Sequence, residues 1–278
     1  MRGVWLRRVF SFHVLLAPIL IAAAIPFAFP DFSAHAGAWN KPAGEGQAIL
    51  GAAALEGDYT FRSTGRLAKT PPYRKAEASL LVEYGITDWL QVNLKPAAES
   101  VSVGPPTRAR ISGLGDSEVG LQLRAFTWGT ATYGLRATAI APGHPGSRNP
   151  AAIGHARAGA QVDLVNGVSF NLGPWPSFIE GAAGLRLTPR AQGLEWRGET
   201  TFGVRPAPAF MVLLKSFTII SLDAPAAPLR RAASQKGQVS LVYEIDRNWS
   251  VEAGAFTTIR GVNALRERGL VASVWRRF

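Results

Sequence analysis

The residues of this chain that could do chemistry are charged side chains rather than Cys or clustered His. The 278-residue sequence holds 30 Lys and Arg, 19 Asp and Glu, 4 His and no Cys. Only His144 and His155 lie beyond the N-terminal apolar segment, so no metal-ligand spacing exists and we expect neither a metal nor a cofactor. A general-base histidine needs a positioned Ser or acid, and the sequence marks no such pair. We therefore expect no catalytic residue and predict that the protein is not an enzyme.

The charged residues instead recur at alternate positions of short segments. In 116–126, Val119 and Leu121 alternate with Gly120 and Gln122, which is the pattern of a strand with two different environments. The same alternation occurs in 238–245 and 249–260. Sorting the segments by face places a mixed set of charges on the polar side: Glu118, Arg124, Arg136, Arg157, Asp163, Glu180, Arg186, Glu195, Arg197, Glu199, Glu244, Glu252 and Arg260.

Twelve segments with this alternation follow one another, bounded by Gly, Pro, Asn or Asp. Short and long connections alternate, as in a membrane barrel with periplasmic turns and external loops. The long connections are expected near 56–73, 101–113, 143–152 and 221–234, and the link 166–175 is longer than this scheme requires. Ten or fourteen strands are the alternatives. The twelve predicted strands are 46–55, 74–85, 88–100, 114–127, 130–142, 153–165, 176–188, 193–204, 208–220, 235–246, 248–260 and 267–278.

The N-terminal segment has the layout of a secretory signal peptide. Arg2, Arg7 and Arg8 precede an apolar stretch that ends at an A-x-A site formed by Ala34 and Ala36. A retained anchor is the alternative, but three prolines interrupt the apolar stretch. We predict a signal peptide over 1–36 and a barrel over 37–278, exported to the outer membrane of a Gram-negative cell envelope.

An all-β, antiparallel up-and-down transmembrane barrel is favoured over a soluble sandwich by three features. One is the signal peptide, and another is the final Phe278, which is similar to the signal read by the barrel-assembly machinery. The third is a set of aromatic residues near strand ends that suits a membrane-interface girdle. These residues are Tyr84, Trp89, Phe126, Trp128, Trp175 and Trp249.

In a closed barrel the polar face lines the lumen, because Arg or Lys facing hydrocarbon at mid-membrane costs about 2–4 kcal/mol. The mixed charges could line a hydrated path that selects solutes by charge, as in a porin-like channel. They could equally pair with one another and fill a lumen that does not conduct. Both hypotheses stay open, and an outer-membrane lipid-modifying enzyme is a third.

The formal charge of +11 is carried by dispersed residues rather than by one patch. This dispersion argues against nucleic-acid binding and suits contact with outer-membrane lipid and the phosphates of lipopolysaccharide. The basic residues expected in loops are Arg62, Arg66, Lys69, Arg74, Lys75, Arg108, Arg110, Arg148, Arg190, Arg230, Arg231, Lys236, Arg266 and Arg268.

Two segments resemble a known group of proteins: 83–90 (EYGITDWL) and 111–120 (ISGLGDSEVG), together with Gly37-Ala38-Trp39 and 44–47 (GEGQ). They are similar to Gram-negative outer-membrane barrels that include proteins labelled as phenol-degradation meta-pathway transporters. The resemblance implies a channel or transporter-like protein for small-molecule solutes, with no substrate specified.

Overall fold

The computed structural model describes residues 37–143, 151, 158–188, 193–223 and 231–278. The predicted signal peptide, 1–36, lies outside the described residues. Fourteen strands occur in the described chain: β1 (Gly46–Phe61), β2 (Leu67–Thr87), β3 (Leu90–Lys95), β4 (Ala97–Val103), β5 (Ala109–Leu114), β6 (Ser117–Trp128), β7 (Ala131–Ala141), β8 (Gly159–Leu172), β9 (Trp175–Thr188), β10 (Gly193–Ala207), β11 (Phe210–Ser221), β12 (Ala233–Glu244), β13 (Trp249–Val262) and β14 (Ala264–Arg277).

The strands form one closed antiparallel barrel, in which β1 pairs with both β14 and β2. β3 and β4 are two parts of one wall strand interrupted at Pro96, which has no N–H to donate. β5 and β6 are likewise two parts of one strand interrupted at Gly115 and Asp116. Fourteen strands therefore occupy twelve positions around the wall, and the predicted twelve-stranded barrel is confirmed.

One end of the barrel, here called the turn end, carries tight turns. Gly129 and Gly173 adopt positive φ angles of 59° and 61° in two of these turns. In a third, Asp246 Oδ1 accepts hydrogen bonds from the backbone N–H groups of Asn248 and Trp249, at 2.7 and 2.8 Å. The link 166–175 is not a long connection, because β8 continues to Leu172 and a two-residue turn follows.

The opposite end, here called the hairpin end, differs from the sequence prediction. The expected loops at 56–73 and 101–113 are wrong: β1 and β2 stay paired up to Phe61 and Leu67, and β4 pairs with β5 from Ala98 to Val103. Backbone pairing continues in water beyond the lipid-facing surface, so polar side chains there do not mark a loop. The other two predicted loops, 143–152 and 221–234, include 144–150, 152 and 224–230, which lie outside the described residues, as do 153–157 at the start of the predicted strand 153–165.

The outward face of the wall is apolar. Side chains such as Val119, Leu121, Leu241 and Leu270 are 50, 52, 48 and 67% exposed, as expected of residues that contact lipid. The aromatic residues predicted to form a girdle all lie near the turn end and are exposed there. Among the described residues, no helix is long and apolar enough to cross a membrane.

Candidate functional site

The inner face of the barrel is identified by contacts between strands that are not neighbours. Arg186 Nη2 of β9 lies 2.7 Å from Glu118 Oε1 of β6, although β7 and β8 separate these strands in the wall. Lys215 of β11 and Glu252 of β13 likewise meet at 3.1 Å across β12. Such contacts can form only on the concave side of the sheet. The alternation of side chains then places every second residue of each strand inside.

Residues 37–42, here called the floor segment, enter the interior at the turn end. Lys41 N donates to Gln91 Oε1 at 2.7 Å, and Ala38 N donates to Glu180 Oε2 at 3.1 Å. Gln122 Nε2 donates to Gly37 O at 3.0 Å and to Asn40 Oδ1 at 3.1 Å. The segment therefore reaches β3, β6 and β9, on several sides of the barrel. Gln91 and Gln122 are fully buried beneath it.

The ammonium group of Lys41 binds the floor segment to side chains of the paired strands β1 and β2. Lys41 Nζ lies 3.4 Å from Glu83 Oε2 of β2 and donates to Gln47 Oε1 of β1 at 3.0 Å. All three side chains are buried. Because this charge is paired and hydrogen-bonded, its burial inside the barrel is tolerated.

An apolar cluster closes the rest of the interior at the same level. Its fully buried members are Phe178, Met211, Leu213, Val242 and Trp275, against which Trp39 and Ile49 pack. The Trp39 ring meets the Phe178 ring edge-on at 5.9 Å between centroids. Amide groups and packed apolar side chains therefore fill the interior together at the turn end.

A layer of charged groups lies above the floor on β6 to β10. Asp163 accepts from Arg136 Nε at 3.1 Å and from Gln161 Nε2 at 2.8 Å. Arg186 Nε donates to Gln161 Oε1 at 2.6 Å, which links this group to the Arg186–Glu118 pair. Strands β6, β7, β8 and β9 therefore share one continuous polar network.

Three further ion-pair groups line the interior outside this network. Glu252 accepts from Lys215 Nζ at 3.1 Å and from Ser273 Oγ at 3.0 Å. Towards the hairpin end, Lys236 pairs with Glu267, and Lys75 lies 2.9 Å from Glu77 and 3.1 Å from Glu99. Every one of these cations therefore faces at least one carboxylate.

The structure brings together most of the charged residues that the sequence analysis selected. Glu118, Arg136, Asp163, Arg186, Glu195 and Arg197 lie in the charged layer, where Arg197 Nη2 is 2.9 Å from Glu195 Oε2. Glu180 belongs to the floor. Glu244 lies at the turn-end rim, where it accepts from Arg205 and Arg277 at 2.7 and 3.1 Å.

Four of the selected residues are not part of these ion pairs. Glu199 follows Arg197 on the same strand face, is exposed, and lies close enough to Arg136 to attract its guanidinium. Arg124 lies nearer the turn end than Gln122 and is half-buried. Arg157 lies outside the described residues. Arg260 is displaced from the inner face, because a β-bulge inserts one residue between the Thr258 and Arg260 pairings and brings Arg260 opposite Gln235.

The floor segment was missed by the sequence analysis, in which Gly37-Ala38-Trp39 served only as part of a resemblance. A signal for it exists in the glutamines Gln47, Gln91 and Gln122. Each occupies an inward position near the turn end, where a neutral donor and acceptor can serve a backbone segment. Alternation alone cannot distinguish such a residue from one facing water.

Two inward glycines, Gly134 and Gly184, do not leave open space in the lumen. A Cβ on Gly134 would lie 2.4 Å from Leu123 O, and one on Gly184 would lie 2.0 Å from Val162 O. The neighbouring backbone already occupies that space. These glycines therefore permit close approach of adjacent strands rather than a wider lumen.

The histidines considered for catalysis, His144 and His155, lie outside the described residues. The carboxylate of Glu195 is paired with Arg197. Within the described parts of the chain, no group of three or more His, Asp or Glu side chains could hold a metal ion.

The fold can be compared with known proteins. No family model matches the sequence, and no curated protein matches it. The chain is similar in structure to an outer-membrane channel from Pseudomonas putida F1, with a TM-score of 0.69 and 15% identity over 87% of this chain and 98% of that one. It is also similar to the translocator domain of the autotransporter NalP from Neisseria meningitidis, with a TM-score of 0.51 and 10% identity over 84% of this chain and 88% of that one. The likeness is one of fold, and the chain adopts the outer-membrane β-barrel that its sequence resemblance implied.

Proposed function

We propose that this protein is an outer-membrane channel for small solutes, with a polar lumen that narrows to a closed floor at its periplasmic end. Barrels of this kind place tight turns in the periplasm, which assigns the turn end, and with it the floor segment, to the periplasmic side. Export through the predicted signal peptide would deliver the chain to that membrane.

The observation that carries the proposal is the partial exposure of several cations on the inner face, in contrast to the closed floor. Side chains of the upper ion pairs keep solvent contact: Arg136, Lys215 and Lys75 are 21, 21 and 22% exposed. At the floor, Gln91, Gln122 and Val242 are 0% exposed. Solvent therefore contacts these ion pairs inside the barrel but not the side chains of the floor.

The charges of the lumen favour a channel with weak ion selectivity. The arginines and lysines of the charged layer and of the three further groups are paired with carboxylates, so the lumen presents alternating rather than uniform charge. Alternating charges stabilise a hydrated path without creating the single-sign field that selects ions. The excess positive charge of the chain lies elsewhere, in the hairpins.

The floor segment can leave its site without disturbing the barrel. It is bound by side-chain hydrogen bonds and one ion pair, whereas the wall is bound by strand ladders. Displacing it would remove Trp39 from the apolar cluster and expose the glutamines. Opening at the floor is therefore the step that we expect to govern conduction.

Single-channel recording tests this function. The native protein, purified from membranes, is compared in planar bilayers with a variant lacking residues 38–42. We expect brief or small conductance from the native chain and larger, longer openings from the deletion variant. Heat-modifiable gel migration checks that both are folded barrels.

A non-conducting barrel is the second candidate, because complete ion pairing and a sealed floor are also features of a filled interior. In that case neither the native protein nor the folded deletion variant would pass current, and the channel proposal would fail.

A further inference from the structure

A row of arginines crosses the outer face of the barrel at the hairpin end. Cross-strand pairing aligns Arg268 with Glu56, Glu56 with Arg74, Arg74 with Ser102, and Ser102 with Arg110. These residues come from β14, β1, β2, β4 and β5. The outer arginine row is defined here as Arg74, Arg110 and Arg268 together with Glu56, and it carries two net positive charges.

The row points away from the lumen. Lys75, next to Arg74, forms its ion pairs with Glu77 and Glu99 inside the barrel, and Glu267, next to Arg268, pairs with Lys236 inside. Since successive side chains alternate between faces, Arg74 and Arg268 face outward. Ile111 packs in the cluster around Val101 on the inner side, which directs its neighbour Arg110 outward as well.

The height of the row matches a membrane interface. Along the outer face of β14, Arg268 and Arg276 enclose Leu270, Ala272 and Val274. At about 3.3 Å per residue and a strand tilt of about 40°, the two arginines are about 20 Å apart along the barrel axis. That spacing is close to the height of the apolar band of such barrels. Arg276 stacks over Trp249 at the periplasmic interface, 5.2 Å from the ring centroid, so the outer arginine row lies at the opposite, outer interface.

A shallow cavity of about 770 Å³ lies against the row. Most of its lining residues point outward, and they include Arg74, Arg110 and Arg268. On β1 and β2 the adjoining outward residues on the membrane side are small, since Ala54 pairs with Ala76; Leu270 of β14 forms one edge of the cavity. In the next row Ala52 pairs with both Ala272 and Ala78. The wall is therefore recessed just where a lipid chain would descend from the arginines.

Charge and shape together select one class of ligand. Glu56 holds Arg268 through contacts of 2.7 and 3.0 Å, and both side chains are exposed. Within the described part of the chain, the guanidinium of Arg74 makes no hydrogen bond or ion pair. Guanidinium groups bind phosphate oxygens in a bidentate manner. We infer that this surface binds a phosphorylated lipid of the outer leaflet, with its phosphate on Arg74 and Arg110 and an acyl chain in the alanine-lined recess.

The test measures binding of lipid A by native mass spectrometry of the detergent-purified protein. The variant carries Arg74→Gln and Arg110→Gln, and the matched control carries Arg276→Gln, which removes an outward arginine at the other interface. We expect the double variant to bind lipid A at least about tenfold more weakly, through loss of two charge-assisted contacts, and the control to bind like the native protein. Ala54→Trp, which fills the recess, should weaken binding without changing charge.

Four results would overturn the inference. Equal retention of lipid A by the native protein and the double variant would show that the arginines do not bind it. Equal binding of dephosphorylated lipid A would show that the phosphate is not recognised. Full competition by inorganic phosphate would identify a site for a free anion. A dimer that Ala54→Trp dissociates would assign the recess to a second copy of the chain. Conductance plays no part in this measurement, so it can fail independently of the channel proposal.

Discussion

Replacing Gln122 by Ala should loosen the floor segment without altering the barrel wall. The amide of Gln122 donates to Gly37 O at 3.0 Å and to Asn40 Oδ1 at 3.1 Å. A buried hydrogen bond contributes about 1 kcal/mol net, so losing both weakens docking of the segment by about 2 kcal/mol. The population with the floor displaced should then rise about 30-fold.

The absence of Cys from the chain provides a direct assay of that population. Ala38 is 6% exposed, and the single thiol of an Ala38→Cys variant reacts with an aqueous thiol reagent only when the floor opens. Its modification rate should therefore rise about 30-fold when Gln122→Ala is added. Gln238→Ala is the matched control, because Gln238 is an inward glutamine that bonds to Ser240 and Glu252 and does not contact the floor.

The reasoning is refuted if Gln122→Ala leaves the thiol modification rate unchanged. It is also refuted if Gln238→Ala raises that rate equally, since a general loosening of the barrel would then explain both results. Increased thiol reactivity without longer channel openings would separate floor motion from conduction.

Three further predictions concern the wall. Asp163→Ala removes the carboxylate that accepts from Arg136 and Gln161, and should lower the free energy of unfolding in urea by about 1–3 kcal/mol, whereas Asp163→Asn should cost less. Gly184→Ala should lower the free energy of unfolding by about 1–3 kcal/mol in the same assay, because the added Cβ would lie 2.0 Å from Val162 O. Ala182→Gly, on the same strand, is the control. Deleting Phe278, whose backbone pairs with Gly46 at 2.9 and 2.6 Å, should reduce the folded fraction in membranes measured by heat-modifiable migration.

The wall was predictable from sequence because its two environments impose a period of two over every strand. Val119 and Leu121 must face lipid, and Gly120 and Gln122 must face inward, so a one-residue slip would exchange the faces. The same rule fails at Arg260. One extra residue at Ile259 forms the bulge, and no local feature of the sequence distinguishes it from regular alternation.

The hairpin end could not be predicted by the same pattern. Above the membrane both faces of a strand meet water, so charged residues such as Arg74 and Lys75 follow each other as they would in a loop. Their contacts in the structure distinguish the two residues: Lys75 pairs with Glu99 inside the barrel, whereas Arg74 lies on the outer face. The sequence therefore places both residues in one basic loop, whereas the fold assigns them to different surfaces.

The floor and the outer arginine row together explain how one strongly basic chain can enclose a nearly neutral path. Inside the barrel, the cations of the charged layer and of the three further groups each face a carboxylate, so these groups add little net charge to the lumen. At the hairpin end, Arg74, Arg110 and Arg268 lie on the outer face, where positive charge costs little and where the proposed lipid phosphate would add to its neutralisation. Much of the positive charge therefore lies outside the lumen, and in the proposed channel solute passage would depend on the floor segment rather than on the net charge of the protein.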